Sequence, residues 1–462
     1  MKKPSNSNRK ALVLVFSLLI FGRCSRLGTE SSVSSADLVI RNGFLLDMVS
    51  DQPQLKPIKG LVISGEKIQK IVPADSSESL PEAPLVIEAG SSYILPGLID
   101  AHVHFRSWFP EIFLHYGVTS LMDTGPCGPD CEEDPNEWIL RHQRALDDGS
   151  RKGPTLYITG MKLDGPDGKT DNHIYRLQSL DEISTKIDFL ARLGVDAIKA
   201  EEDLPVDFRK RIIEEASKRG LPVVGHSRDA IESINVGMRF IEHTYPIARA
   251  LATDPELAYQ LGRSSEHLID MNRVPEMIDL MLENQVYLNP TLMGRFRFFS
   301  ERRFQYSRED KELLSQELFQ AIPEEYRSRL PDSHLRAETM PPEERRMHEK
   351  AYENVKVLLK QFSSKGGLLL AASDALETSM PGLWTHREVQ LLVDAGVTPY
   401  AALLGATRYP AELMRKQDLI GTVQVGKQAD LLIVTANPLQ DIAATQDIEY
   451  VIKKGIIERR PQ

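Results

Sequence analysis

The chain has little cysteine. Three cysteines among 462 residues cannot build a disulfide scaffold. It also lacks an excess of positive charge: 56 lysines and arginines face 66 aspartates and glutamates, for a net charge of −10. Phosphate backbones are held by basic stripes, so nucleic acid is excluded as the main partner. No apolar run reaches the ~18 residues needed to cross a bilayer. What is present is ordinary globular material, 41% hydrophobic and 26% charged. That length supports one large core and a second, smaller one.

The first residues read as an address. Lys2, Lys3, Arg9 and Lys10 precede the apolar run ALVLVFSLLIFG, with no acidic residue before it. A basic start and a short apolar stretch predict an export signal over residues 1–24. Cys24 follows in FGRCS, which resembles a bacterial lipoprotein signal, although Arg23 replaces the usual small residue. The reading is a lipid on Cys24 that tethers an exported protein in the periplasm or cell envelope; a plain secretory signal is the alternative. Residues 25–36, with RLGTESSVSSA, form a polar linker. Export makes a local disulfide between Cys127 and Cys131 an open option. A metal site there would have no further cysteine to complete it.

Residues 37–95 and 419–462 carry short apolar runs of period two, such as DLVIRNGFLLDM, KGLVISG and ADLLIV. They predict one small β-sandwich domain assembled from both ends of the chain. Residues 96–418 alternate apolar strands with amphipathic helices. The strands are expected at 94–104, 118–123, 155–160, 195–200, 222–226, 239–243, 286–290 and 368–374, with helices such as 179–194 and 206–220 between them. Eight such units predict an α/β fold, a (β/α)8 TIM barrel. A charged helical insertion, about 295–361, follows the seventh strand. It reads either as a solvated pair of helices on the flank or as a lid.

Six residues stand at the carboxyl ends of these strands, the face on which barrel enzymes build their sites. His102 and His104 end the first, Lys199 the fourth, His226 the fifth, His243 the sixth and Asp374 the eighth. Positions i and i+2 of a strand face the same side, so His102 and His104 can meet one ion. Random scatter would not gather six such groups at one end.

The stretches ILPGLIDAHVHF, GVTSLMDTG, VVGHS, GMRFIEHTY, LAASDA and LIGTVQVGKQADLLIV resemble the amidohydrolase superfamily, in its imidazolonepropionase-like and prolidase-type branch. The resemblance implies a metal-dependent hydrolase that cleaves a carbon–nitrogen bond in an amide, cyclic amide or dipeptide. His102 and His104 would hold one divalent ion, and His226 and His243 a second. Lys199, carboxylated by carbon dioxide, would bridge the two, and Asp374 would bind the first and act as general base. Histidine with carboxylate oxygen suits zinc. The resemblance also gives His173 a role at the substrate carbonyl, and Tyr245 is a candidate for a substrate carboxylate. Arg295 and Arg297 read as solvated charge or as an anion site, and His115 and His142 as structural.

Two other readings compete. A mononuclear deaminase of the same superfamily would need His-x-Glu or His-x-x-Glu near the fifth strand, but Ser227, Arg228 and Asp229 follow His226. An inactive lipoprotein binding an envelope partner would have no need of a complete ligand set.

Overall fold

The computed structural model describes residues 36–126, 131 and 134–461. The expected signal, Cys24, nearly all of the linker and Cys127 lie outside the described residues. Cys131 is disulfide-bonded. Among the described residues no helix is long and apolar enough to cross a membrane.

Four strands open the chain: β1 (Leu38–Leu46), β2 (Leu55–Ser64), β3 (Lys67–Pro73) and β4 (Leu85–Pro96). The central strands are β5 (Leu98–Val103), β6 (Val118–Asp123), β7 (Thr155–Ile158), β8 (Lys162–Asp164), β9 (Ile174–Arg176), β10 (Ile198–Ala200), β11 (Val223–Gly225), β12 (Phe240–Glu242), β13 (Tyr287–Asn289) and β14 (Leu368–Leu369). The chain ends on β15 (Leu431–Val434), β16 (Ile448–Lys453) and β17 (Ile456–Arg459).

Both chain ends meet in one sheet of seven strands, ordered β17-β16-β15-β4-β1-β2-β3. By hydrogen bonding this is a single sheet, where a sandwich would have two. β1 pairs parallel to β4, and β15 closes antiparallel on β4. The β2–β3 hairpin turns through Gly65 at φ +56°, a conformation glycine takes without Cβ strain. Alternation places Ile40, Leu61, Ile63, Ile87, Ile94, Leu431 and Ile433 in one buried cluster. The largest core cluster joins Leu46, Leu95, Leu432 and Val434 of this sheet to the central elements. The described residues accordingly form one compact unit.

The eight expected central strands are all present, as β5, β6, β7, β10, β11, β12, β13 and β14. They pair in three sheets, β5-β6-β7, β11-β10-β8-β9 and β12-β13-β14, and all their pairings are parallel. An isolated parallel bridge joins Val103 to Ala375, linking the first central strand to the segment after the last. β8 and β9 were not foreseen, because KLD and IYR are too short to show a period. The first strand is also shorter than expected: Gly97 divides β4 from β5, and a Cβ there would run into Thr119.

The helices follow their sequence signals. The helix Leu180–Leu193 turns its apolar stripe, Ile183, Ile187 and Leu190, inward and ends on Gly194 at φ +86°. In the insertion, Pro342–Ser364 buries Tyr352, Val355, Leu358, Leu359 and Phe362. Asp310 of the insertion is buried, 2.7 Å from Arg387 and 2.8 Å from His334. The insertion is therefore anchored by apolar packing and buried charge, which a merely solvated pair would lack.

His386 is fully buried, with Nε2 2.7 Å from the Tyr116 carbonyl oxygen. Burial lowers its pKa from 6.5 to about 4, and burial with Arg459 and Lys152 nearby lowers that of His115 similarly. Below pH ~6.5 the unfolded chain takes up protons that the folded chain refuses, so stability falls as pH drops toward 4. The melting temperature of the wild type should fall more steeply over that window than that of His386→Gln.

Candidate metal centre

The site lies where the central strands end. His102 lies in β5 and His104 just past its end, separated by one residue and facing the same way. The Nε2 atoms of both approach Asp374 Oδ1 to 3.4 Å. Asp100, two residues earlier on the same face, accepts hydrogen bonds from Ser373 N at 3.1 Å and Thr385 Oγ1 at 2.7 Å. That buried carboxyl ties the histidine strand to the segment carrying Asp374. Behind it, Glu388 accepts from the backbone N–H groups of Leu292 and Met293 at 2.8 and 2.7 Å. Burial pushes the Glu388 pKa up to about 8.

A second group gathers beside the first. His226 Nε2 and His243 Nε2 lie 3.2 Å apart, and Glu242 Oε2 lies 3.2 Å from His226 Nε2. The other oxygen of Glu242 is 2.8 Å from His102 Nδ1, so this carboxylate spans both groups. Lys199, fully buried, donates to Glu242.

The hydrogen bonds set the ring tautomers. His226 Nδ1 is 2.9 Å from Glu201, an ionised carboxylate that can only accept, so Nδ1 carries the proton. Thr291 gives its hydroxyl proton to the Pro290 carbonyl at 2.9 Å and so accepts from His243 Nδ1 at 2.6 Å. Both Nε2 atoms are then bare lone pairs that face each other. His102 Nε2 is likewise buried without a hydrogen-bond partner.

Burial lowers the pKa of His104 to about 4 and that of His226 and His243 below 6.5, so these rings stay neutral and basic at neutral pH. Burial opposes ionisation of Glu242 and Asp374. The surrounding histidines outweigh it in both, helped at Glu242 by Lys199, and hold both carboxyls well below the usual carboxylate range. Neutral imidazoles and ionised carboxylates, all within 4.8 Å inside each group, are the donor set of a divalent cation. The residues fit the implied metal.

Backbone strain shapes this site. His243, Thr291 and Asp374 have φ of +62°, +48° and +51°, in the left-handed region that non-glycine residues avoid. The turn at His243 breaks strand alternation, so the adjacent Glu242 and His243 both enter the site. Alternation alone would have sent one of them away.

All six expected residues are brought together, His102, His104, Asp374, His226 and His243 in the two candidate ligand groups and Lys199 against Glu242. Glu242, Glu201 and Thr291 were missed. Glu201 was legible, since it lies two residues from Lys199 on one strand face. Glu242 and Thr291 were not, because they depend on the strained turns.

Tyr245 differs from expectation. It is fully buried and its ring stacks on His243 at 5.7 Å. Its hydroxyl donates to Glu202 at 3.3 Å, so it is not open to a substrate carboxylate. His173 flanks β9, and burial lowers its pKa, with Lys162 and Arg106 adding to the effect. Its Nδ1 is buried without a hydrogen bond. Arg297 is not solvated: it is buried and stacked on Trp384 at 4.6 Å. Arg295 is 3.1 Å from Glu266. His142 packs on Trp138 at 4.5 Å, in keeping with a structural role.

The sequence profile of the Amidohydrolase family matches residues 93–457, most of the chain. The chain belongs to the amidohydrolase family. An adenine deaminase of Edwardsiella ictaluri is 37% identical over 93 residues, 19% of this chain. The chain covers only 15% of the length of that relative. Among solved structures, bottromycin amidohydrolase superposes with a TM-score of 0.67 at 20% identity, over 91% of this chain and 86% of that one. A prolidase complexed with N-methylphosphonate-L-proline gives 0.62 at 20% identity, over 92% of this chain and 100% of that one. These two structures share the fold.

Glu201 would bear on an ion at His226 through its hydrogen bond to that ring. Glu201→Ala should weaken zinc binding about 10- to 100-fold, the usual effect of losing an outer partner. Competition with a chromophoric chelator measures this, and far-UV circular dichroism should not change.

Proposed function

We propose that the protein is an exported metal-dependent amidohydrolase that hydrolyses a carbon–nitrogen bond in an amide, cyclic amide or dipeptide. The carrying observation is the pair of candidate ligand groups, His102/His104/Asp374 and His226/Glu242/His243, with Glu242 reaching from one to the other and Lys199 against it. The three parallel sheets are then staves of one (β/α)8 barrel, and the bridge from Val103 to Ala375 supports closure between its first and last strands.

Two divalent ions, zinc by the nitrogen and oxygen donor set, would polarise a carbonyl and acidify water when bound. His102, His104 and Asp374 would hold one, and His226 and His243 the other. Lys199 as an ammonium has only donors to offer. Carboxylated by carbon dioxide, it becomes an anion beside Glu242, a repulsion that two cations relieve. Asp374 is ionised and can take a proton from the attacking water. It can then hand that proton to the leaving nitrogen, which departs poorly as an anion. Asp100, Thr385 and Ser373 fix the backbone beside Asp374 and so aim its carboxylate. His173 would meet a substrate carbonyl if the resemblance holds at this position; its Nε2 lies 3.4 Å from Asp171.

Deamination also breaks a carbon–nitrogen bond, and the matching stretch of adenine deaminases keeps it as the second reading. Protein loaded with zinc and bicarbonate should carry about two ions per chain. A screen of dipeptides, N-acyl amino acids, hydantoin-like rings, lactones and adenine should give turnover on amides. Ammonia released from adenine supports the second reading, and turnover confined to lactones or esters overturns the first. Well under one ion per chain, without turnover, leaves the inactive binding lipoprotein. Lys199→Ala should lose the second ion and more activity than the roughly 10–100-fold that an outer partner costs.

A further inference from the structure

We infer that Arg263 reads a carboxylate on the substrate, so that the preferred substrates are acylated amino acids or dipeptides with a free carboxyl end. The inference rests on the hydrolase reading above. Arg263 sits on the short turn Gly262–Ser264, in the excursion between β12 and β13. Its Nη2 lies 3.4 Å from His226 Nδ1, next to a ligand ring.

The cations around the site differ in how far they are committed. Lys199 is fully buried against Glu242. Arg106 chelates Glu377 at 2.7 and 3.2 Å and also donates to the carbonyls of His104 and Phe105. Lys162 faces Glu201 at 3.5 Å with its side chain 17% exposed. Arg249 holds Glu202 at 2.5 Å with its side chain 10% exposed. Arg263 reaches the same Glu202 only at 3.3 Å, through Nε and Nη2 that share a single oxygen. Its side chain is 38% exposed. Among the described residues its Nη1 has no hydrogen bond.

Glu202 therefore has two arginines and the Tyr245 hydroxyl on one carboxylate. One guanidinium is in surplus, and it is the more exposed one, beside the His226 ring. The Tyr245 ring, 5.1 Å from the Arg263 guanidinium, supports its face, and Arg295 donates to the Arg263 carbonyl and fixes the turn. A planar two-oxygen anion matches the arginine fork, and an ammonium could not reproduce that geometry. This gives to Arg263 the anion contact that the buried Tyr245 hydroxyl cannot make.

The test compares a dipeptide with its C-terminal carboxamide on zinc-loaded protein, for wild type, Arg263→Gln and Arg263→Lys. A charge-assisted pair of hydrogen bonds gives about 10- to 100-fold preference in kcat/KM for the free acid. Arg263→Gln should collapse that ratio toward one, mainly through KM for the acid, while metal content stays at the wild-type value. Arg263→Lys should restore it in part. A ratio left unchanged by Arg263→Gln, or equal use of acid and amide by the wild type, overturns the inference. No turnover of either peptide by metal-replete wild type, with adenine or lactones consumed instead, overturns the hydrolase reading and the inference together.

Discussion

Buried charge is the constraint on which the rest of this structure depends. Lys199, Glu242 and His102 are fully buried, with His226, His243, Glu201 and Asp374 packed around them. Removing such groups from water costs several kcal/mol each unless partners compensate. Lys199 and Glu242 compensate each other, and Glu201 and His226 do the same. What is left is a set of imidazole lone pairs and a carboxylate aimed at common points, which a divalent cation satisfies. A divalent cation bound there would therefore add to the stability of this fold.

The surrounding architecture holds these groups in place. Asp100 draws β5 toward Ser373, and Thr385 and Glu388 do comparable work from one helix, Leu383–Asp394. Arg387 of the same helix pairs with Asp310 of the insertion. The insertion is thus joined through one helix to the backbone around Asp374, and its packing bears on the site through that helix. The left-handed turns at His243, Thr291 and Asp374 are strained positions that only such over-determined surroundings can maintain.

Much of this was legible in the residues. The period-two runs at both ends gave the terminal sheet its strands, because alternation marks a half-buried strand. The eight central strands were found from short apolar runs between amphipathic helices. The boundaries erred where the signal was brief, as at β8, β9 and Gly97. The histidines and Asp374 of the two candidate groups were legible because chemistry-bearing side chains clustered at strand ends. Tyr245 misled because its position beside His243 suggested reach, while its burial and its bond to Glu202 exist only in three dimensions.

The sequence by itself determined the fold class and the residues His102, His104, Lys199, His226, His243 and Asp374, since residue type and spacing along a strand are local properties. It also determined Glu201, by the same two-residue rule, although that signal is easily passed over. Only the tertiary structure decided that Glu242 faces inward, that Thr291 sets the His243 tautomer and that Arg263 reaches His226. The last two pairings join residues 48 and 37 positions apart and the first depends on a strained turn, and local periodicity carries no record of either.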